Sequence, residues 1–507
     1  MKSRYSGVLL HIASLSGPYG CGTMGVEAVD FLKKLKKAGF SYWQVLPLTI
    51  VDEFHSPYKS LSAFAGNPAL IDPRGLVSDG LLTAAEAEAC IYPQTASNMN
   101  YETAMATADK FLNLAFSRVT AKLRQHISSF ITKESAWLPD YACFITAKRT
   151  FNLLPWWEWP DKALAAHEPQ AVADFMQKHQ EEIDRCYFEQ WVFNRQWSGL
   201  HKQARELGIG IIGDIPFYVD GDSADVWSHR ELFAMESMKF TEVAGVPPDY
   251  FSPTGQLWGN PIYDWFAHQK ENFAWWKLRM QHALEAFDKL RIDHFRALVT
   301  FWAIPYGSPD ATSGEWRQAP YMEFYRQVFG NWPAERIFAE DLGDIDAKTR
   351  EGIDAAGLAN MKVLQFVFNI GGVKDDLPHN WEYPTVAYTG THDNTTLIGW
   401  IWEMDDELRR YVLDYADFPA DADWGKGGFN SPLVRRMLRV LWQSAAKLTV
   451  AQVQDLCGFG GDTRMNLPGR KENNWSYRLP FGTTEHIDWD YFAKLNKLYQ
   501  RNTPADD

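Results

Sequence analysis

Ile209-Gly210-Ile211-Ile212-Gly213-Asp214-Ile215-Pro216-Phe217-Tyr218-Val219 is an almost unbroken apolar run with a single carboxylate inside it. Alternation of apolar and polar residues would mark a strand with one wet face. Continuous Ile and Val character marks a strand covered on both faces, as in parallel sheets. Seven further runs share this character, at 7–15, 42–48, 289–295, 336–342, 361–368, 385–393 and, more weakly, 447–454. Helical patterns lie between them. Residues 26–38 put Ala28, Phe31, Leu32, Leu35 and Ala38 on one face and stop at Gly39, and 433–446 repeats the amphipathic pattern. Eight strands alternating with helices predict an α/β protein, a (β/α)8 TIM barrel.

The spacing of the runs is uneven. The stretch 55–205 is helix-forming and predicts a mainly helical inserted subdomain after the second strand. The stretch 220–288 is rich in Pro, Gly and aromatic residues (Gly245, Pro247, Pro248, Gly255, Trp258, Gly259, Pro261). It predicts a lid-like functional loop region within a single catalytic barrel spanning 1–507.

The 507 residues carry a net charge of −14, with 50 Lys plus Arg against 64 Asp plus Glu. That balance argues against nucleic acid or an anionic membrane as partner. Five scattered cysteines (Cys21, Cys90, Cys143, Cys186, Cys457) form no metal-binding or disulfide spacing and suit a reducing cytoplasm. The run 8–15 after Lys2 and Arg4 is too short and contains His11, so it reads as a strand rather than a leader. No apolar stretch is long enough to span a membrane. Gly20-Cys21-Gly22-Thr23-Met24-Gly25 matches a dinucleotide fingerprint in form only. It follows its strand at too great a distance and lacks the matching acidic residue, so a loop packed at the barrel rim is the better account.

The carboxylates carry the chemistry. Asp214, Asp293 (in Arg291-Ile292-Asp293-His294-Phe295-Arg296), Glu340 (in Ala339-Glu340-Asp341-Leu342-Gly343) and Asp393 (in Thr389-Gly390-Thr391-His392-Asp393-Asn394) all lie toward the C-terminal ends of different runs. In a β/α barrel those ends meet around one mouth. Any one of the four could cap a helix, but four in corresponding positions predict a catalytic rim. Arg291 and Asp293 are two apart on a strand and point the same way, so the guanidinium favours the charged form of Asp293, as a nucleophile requires. Glu340, near like charges, is expected to hold a proton as general acid. An ionised nucleophile beside a protonated acid suits retaining glycosyl transfer. A metal site is disfavoured, because His294 and His392 adjoin carboxylates that point the opposite way along a strand.

These motifs, in order along essentially the whole chain, resemble the 4-α-glucanotransferases known as amylomaltase or disproportionating enzyme, of the α-amylase clan. The resemblance rests on Ser56-Pro57-Tyr58, Ser62 to Pro68, Gly213 to Pro216, Pro247 to Ser252 and Gly255 to Pro261. It continues through Arg291 to Arg296, Ala339 to Gly343, Thr389 to Thr395 and Arg464-Met465-Asn466 with Pro468-Gly469. It implies Asp293 as nucleophile, Glu340 as acid/base and Asp393 as transition-state stabiliser. Asp214, Arg291, His294 and His392 match residues gripping the sugar. Tyr58 and Trp258 match the acceptor side and lid, Asn466 a second flanking loop, and Ser56 is counted with them among the substrate-binding residues. It further implies no C-terminal β-sandwich, no metal and no cofactor, with maltooligosaccharides as donor and acceptor and glucose as acceptor or product.

Rival readings are an α-1,4-glucan hydrolase and a non-catalytic glucan-binding barrel. The 22 tryptophans divide accordingly. Trp43, Trp302 and Trp442 are expected to pack in or beside barrel elements, and Trp191 and Trp197 within inserted helices. Trp258, with Tyr250 and Phe251, is expected to face the glucan.

Overall fold

The computed structural model describes residues 3–92, 98–248, 252–343, 345–368, 376–419, 421–470 and 472–502. Eight parallel strands make its centre: β1 (Tyr5–Leu9), β2 (Tyr42–Gln44), β3 (Gly210–Ile215), β4 (Lys289–Ile292), β5 (Ile337–Ala339), β6 (Asn360–Val363), β7 (Thr385–Tyr388) and β8 (Leu448–Gln452). They pair in the order β5-β4-β3-β2-β1-β8-β7-β6. The seam between β5 and β6 is bridged by Phe338 against Ala359, and the Ala339 amide donates to the Ala359 carbonyl at 3.0 Å. The ring therefore closes into the expected (β/α)8 barrel.

Each apolar run overlaps one strand, β1 and β6 beginning shortly before their runs, and each strand stops before its run does. Two stops are chemical: Pro47 and Pro216 have no amide to give to the ladder. Two others are conversions into helix, at Leu364–Val367 after β6 and Val453–Cys457 after β8. The apolar tails are thus βα loops at the barrel mouth, buried there as thoroughly as strands. Ladder bonds still reach one residue further at several places, and two of these hold acidic residues. Asp293 N donates to Ile215 O and Glu340 N to Ile292 O, each at 3.0 Å, which fixes the backbone of both acidic residues.

The helix Val26–Lys37 buries Ala28, Phe31, Leu32 and Leu35, and Phe31 meets Trp43 of β2 edge-on at 5.1 Å. Gly39 ends it at φ 71°, a backbone that disfavours a side chain. Two glycines of the GxGxxG stretch serve packing. A Cβ at Gly22 would lie 2.1 Å from Ile12 O, and one at Gly25 would lie 1.7 Å from Asp72 Oδ2. Between β2 and β3 the described chain is largely helical, ending in the helix Gln180–Glu206, where Trp191 and Trp197 are buried.

The stretch 220–288 departs from a loop. It holds helices Ala224–Ser228, Trp265–Lys270 and Ala274–Ala286 and strands Glu242–Val246 and Gln256–Pro261. These strands join Thr300–Pro305 and Glu315–Gln318, from the β4–β5 connection, in a four-stranded antiparallel sheet. The strand Glu242–Val246 takes its central partner from Thr300–Pro305, far away in sequence, so local alternation gave no signal for it. Trp302 belongs to this sheet and not to the barrel. It is half-buried against Trp316 at 5.2 Å, and its Nε1 donates to Ala311 O. Trp43 and Trp442 are fully buried in or beside the barrel, as expected. Tyr250 and Phe251 lie outside the described residues. No described helix is long and apolar enough to cross a membrane.

At the opposite end of the barrel, Arg501 is buried without a carboxylate partner among the described residues. Its guanidinium donates to the carbonyls of Tyr5, Trp442, Ser444 and Ala446 at 2.9–3.1 Å, tying β1 to the segment before β8. Arg501→Met should remove all four bonds, leaving the Trp442 and Ser444 carbonyls only their bonds from Arg4, and lower stability by about 3 kcal/mol or more. Urea denaturation followed by circular dichroism measures this, and an unchanged midpoint would mean that the clasp contributes nothing.

Candidate active site

The predicted rim residues converge at the C-terminal mouth through one polar belt. Arg291 on β4 sits opposite Asp214 on β3 in the ladder. Its Nη1 donates to Asp214 Oδ1 and Oδ2 at 2.9 and 2.8 Å, and its Nη2 contacts Asp293 Oδ1 at 2.8 Å. The i and i+2 positions of Arg291 and Asp293 therefore do share a face. Burial holds the Asp214 carboxyl above its ordinary range even against the Arg291 charge. Tyr58, in the loop after β2, donates its hydroxyl proton to Asp214 Oδ2 at 2.8 Å and lies 3.1 Å from His392 Nδ1.

This fixes the protons of His392. A tyrosine hydroxyl has one proton, and here it goes to Asp214, so His392 Nδ1 must be the donor toward Tyr58. His392 Nε2 faces Asp393 Oδ1 at 3.3 Å, and an acceptor nitrogen there would oppose the carboxylate. The ring is then an imidazolium. Its raised pKa agrees: burial would lower it, but the Asp393 carboxylate more than offsets that. Asp393 responds in kind. Burial alone would raise it, yet His392, a 2.6 Å bond from Asn466 Nδ2, and Arg291 bring it down to about 2.

Glu340, one residue past β5, differs. Two backbone amides hold it, His294 N to Oε2 at 2.8 Å and Leu342 N to Oε1 at 3.0 Å. Its pKa nevertheless rises to about 7. Burial is the main cause, opposed by Arg291 and reinforced by Asp293, so the like charge expected from the sequence is real but secondary. His294 adopts a left-handed backbone, φ 48°, which turns its amide onto Glu340. Burial brings the His294 ring down to about 4, so it is neutral, and it meets Trp258 edge-on at 4.7 Å.

Tyr58 stacks on His392 at 4.5 Å and 22°. Ser56 acts one step back: its Oγ accepts from Tyr58 N at 3.3 Å, and its own amide donates to Asp52, holding the loop that carries the ring. Two contributors escaped the sequence reading of single residues. Trp475 lies 5.6 Å from both Tyr58 and His392, at φ 58° and with its amide on Met465 O. Arg464 donates to the carbonyls of Asp393 and Asn466, fastening the flanking loop to the rim. Only the quoted run Arg464-Met465-Asn466 hinted at the second, and nothing local pointed to the first. Among the described residues no group of three or more His, Cys, Asp or Glu could hold a metal ion.

The sequence profile of a family described as 4-alpha-glucanotransferase matches residues 10–484. The 4-alpha-glucanotransferase of Thermus thermophilus is 42% identical over 489 residues, covering 94% of this chain and 95% of the relative. That of Aquifex aeolicus is 38% identical over 501 residues, covering 98% and 99%. Among solved structures, the amylomaltase from Streptococcus agalactiae in complex with acarbose superposes with a TM-score of 0.94 at 34% identity, covering 99% of this chain and 100% of that one.

The depressed pKa of Asp393 has a sign in stability. A carboxyl held below its unfolded value of 3.8 adds stability above that pH and loses it as pH falls toward about 2. Asn466→Leu removes one bond to the charged form, so the Asp393 carboxyl should titrate at higher pH and acid unfolding should begin earlier. Carbonyl NMR of Asp393 reads the first effect and acid denaturation the second; unmoved values for both would rule out a role for Asn466 in holding that charge.

Proposed function

We propose, from the premise that this chain belongs to the 4-alpha-glucanotransferase family, that it moves α-1,4-linked glucosyl segments between maltooligosaccharides by a retaining double displacement. Asp293 attacks the anomeric carbon of the donor while Glu340 gives its proton to the glycosidic oxygen. The bond to the leaving sugar breaks, and the non-reducing segment is held as an ester on Asp293. The 4-hydroxyl of an acceptor glucan, or of glucose, then loses its proton to Glu340 and attacks the same carbon. Asp293 departs as a carboxylate, and two inversions leave the configuration retained. Asp393 and its paired imidazolium His392 face the sugar whose ring oxygen gains positive charge. Asp214, Arg291 and the neutral His294 supply acceptors and donors for its hydroxyls.

The observation that carries this reading is the opposed pair at the mouth. Glu340 titrates near 7 and can be a protonated acid, while Asp293 is paired with Arg291. Transfer needs the acceptor to outcompete water, and Tyr58, Trp258 and Trp475 offer ring faces on which a sugar can exclude it. The reading includes a reducing cytoplasm, supported by five free cysteines.

Incubation with maltotriose should yield glucose together with longer oligosaccharides. Glucose and maltose without longer products would mean hydrolysis instead. Asp293→Asn should lose transfer by about 10⁴-fold or more. Glu340 must carry a proton for the first step, so kcat/KM should fall as pH rises through about 7. The stability linked to Glu340 has the opposite sense to that of Asp393. It is complete below the unfolded pKa of 4.5 and lost as pH rises through about 7, so Glu340→Gln should gain in melting temperature over wild type at alkaline pH and not at acid pH. A pH–rate profile and paired melting curves check both statements.

A further inference from the structure

The contact between His392 and Asp393 does not fix the imidazole by itself. Nε2 faces Asp393 Oδ1 at 3.3 Å, longer than the about 2.7–2.9 Å of a tight charge-assisted bond. Asp393 is also only half-buried. The ring is held by its neighbours instead. Tyr58 stacks on it at 4.5 Å, and the Trp475 centroid lies 5.6 Å from both rings, at tilts of 39° to Tyr58 and 36° to His392. The three centroids make a compact triangle within the range of favourable aromatic pairing. Trp475 closes the flank of the stack.

The backbone that presents Trp475 is strained and clasped. Asn473 and Trp475 both adopt left-handed conformations, φ 60° and 58°, and for a side chain as bulky as Trp475 that is an outlier. Such a conformation persists where its surroundings hold it. Trp475 N donates to Met465 O at 2.7 Å. Between these two left-handed residues, Asn474 spends its whole amide on the loop. Its Oδ1 accepts from Leu467 N at 2.8 Å, and its Nδ2 donates to Leu467 O at 3.2 Å and Arg470 O at 2.8 Å. One side chain thus joins the two arms of a loop whose first arm also gives Asn466 to Asp393. The tip at 468–470 is exposed, so the bonds across the loop hold its shape.

We infer that Trp475 is a positioning residue of the transfer reaction, locking the Tyr58–His392 stack so that the imidazolium stays on Asp393, and that Asn474 is the clasp that holds Trp475 there. The effect on rate rests on the proposed catalytic reading, whereas the effect on the two ionisations stands apart from turnover. The groups facing His392 give the direction. Asp393 and Asp214 favour its charge, and Arg291 opposes it. His11, Tyr58 and Tyr477, also around the ring, are neutral, because burial brings His11 down to about 3 and pushes both hydroxyls well above their ordinary range. Asp393 is the strongest of the supports. A ring that swings away from it loses its proton at lower pH, and the Asp393 carboxyl takes one up at higher pH.

Imidazole nitrogen NMR of His392 and carboxyl carbon NMR of Asp393 read both ionisations without any turnover. Trp475→Leu keeps apolar cover but removes the ring. It should lower the His392 midpoint and raise that of Asp393, each by about one pH unit. Trp475→Phe should restore most of both, and Asn474→Ala should move both the same way by less. With maltotriose, the ratio of Trp475→Leu to wild-type transfer rates should fall severalfold as pH rises from about 6 to about 8, whereas a loop serving stability alone would give a ratio independent of pH. Unmoved midpoints in Trp475→Leu, or shifts that persist in Trp475→Phe, would overturn the positioning role. A shift in Trp475→Leu that is absent from Asn474→Ala would overturn the clasp alone. Moved midpoints with a ratio flat in pH would overturn the effect on rate. Hydrolysis of maltotriose in place of transfer would instead count against the catalytic reading and leave the titrations as they are.

Discussion

The mouth of this barrel is organised by one guanidinium. Arg291 is buried, and it contacts carboxylates on two adjacent strand ends, Asp214 through one nitrogen and Asp293 through another. Burying a guanidinium against a carboxyl is costly, and removing either Arg291 or Asp214 would strand the other, so the buried pair persists because each satisfies its neighbour, with the half-buried Asp293 as a further partner. Everything further along the belt inherits its orientation. Asp214 receives the Tyr58 proton, which obliges His392 to donate, which makes it the cation that keeps Asp393 ionised. Arg291 also opposes the rise in the Glu340 pKa without overcoming burial. One side chain thus keeps some carboxyls charged and leaves another able to hold a proton.

Much of this was readable in the chain because buried parallel strands have a strong local signature. All eight runs overlapped their strand, though β1 and β6 began before theirs, and the four carboxylates stood where the strands give way to loops. The runs overshot because a loop buried at the barrel mouth is as apolar as the strand before it: residues 216–219 are hydrophobic for the sake of the neighbouring packing, and only Pro216 tells that the ladder has ended. The spacing of Arg291 and Asp293 was also sufficient, since two residues on one strand face need no partner from elsewhere.

What stayed hidden depends on pairings between distant segments. The four-stranded sheet takes two strands from the β3–β4 connection and two from the β4–β5 connection, and Trp302 was assigned to the barrel for want of that information. Trp475 gives no signal of its own, because its place at the rim comes from a left-handed backbone and a bond to Met465. The cause of the Glu340 shift was likewise beyond reach. Neighbouring charges can be guessed from motifs, whereas depth of burial is a property of the assembled mouth.

The pairing of β1 with β8 bears on how such a chain reaches its native state. Tyr5 is matched with Leu448, and Arg501 locks the same corner. Of the eight barrel strands, the first to be made therefore keeps a bare edge until the eighth has emerged, and ring closure is a contact of very high sequence separation. Synthesis must pass through an open, incomplete sheet with β1 exposed along one side. A row of unpaired amides and carbonyls is sticky toward other chains as well as toward its proper neighbour. In this barrel the hazard of misassembly is concentrated before closure, and the late-made segment from Leu448 onward ends it.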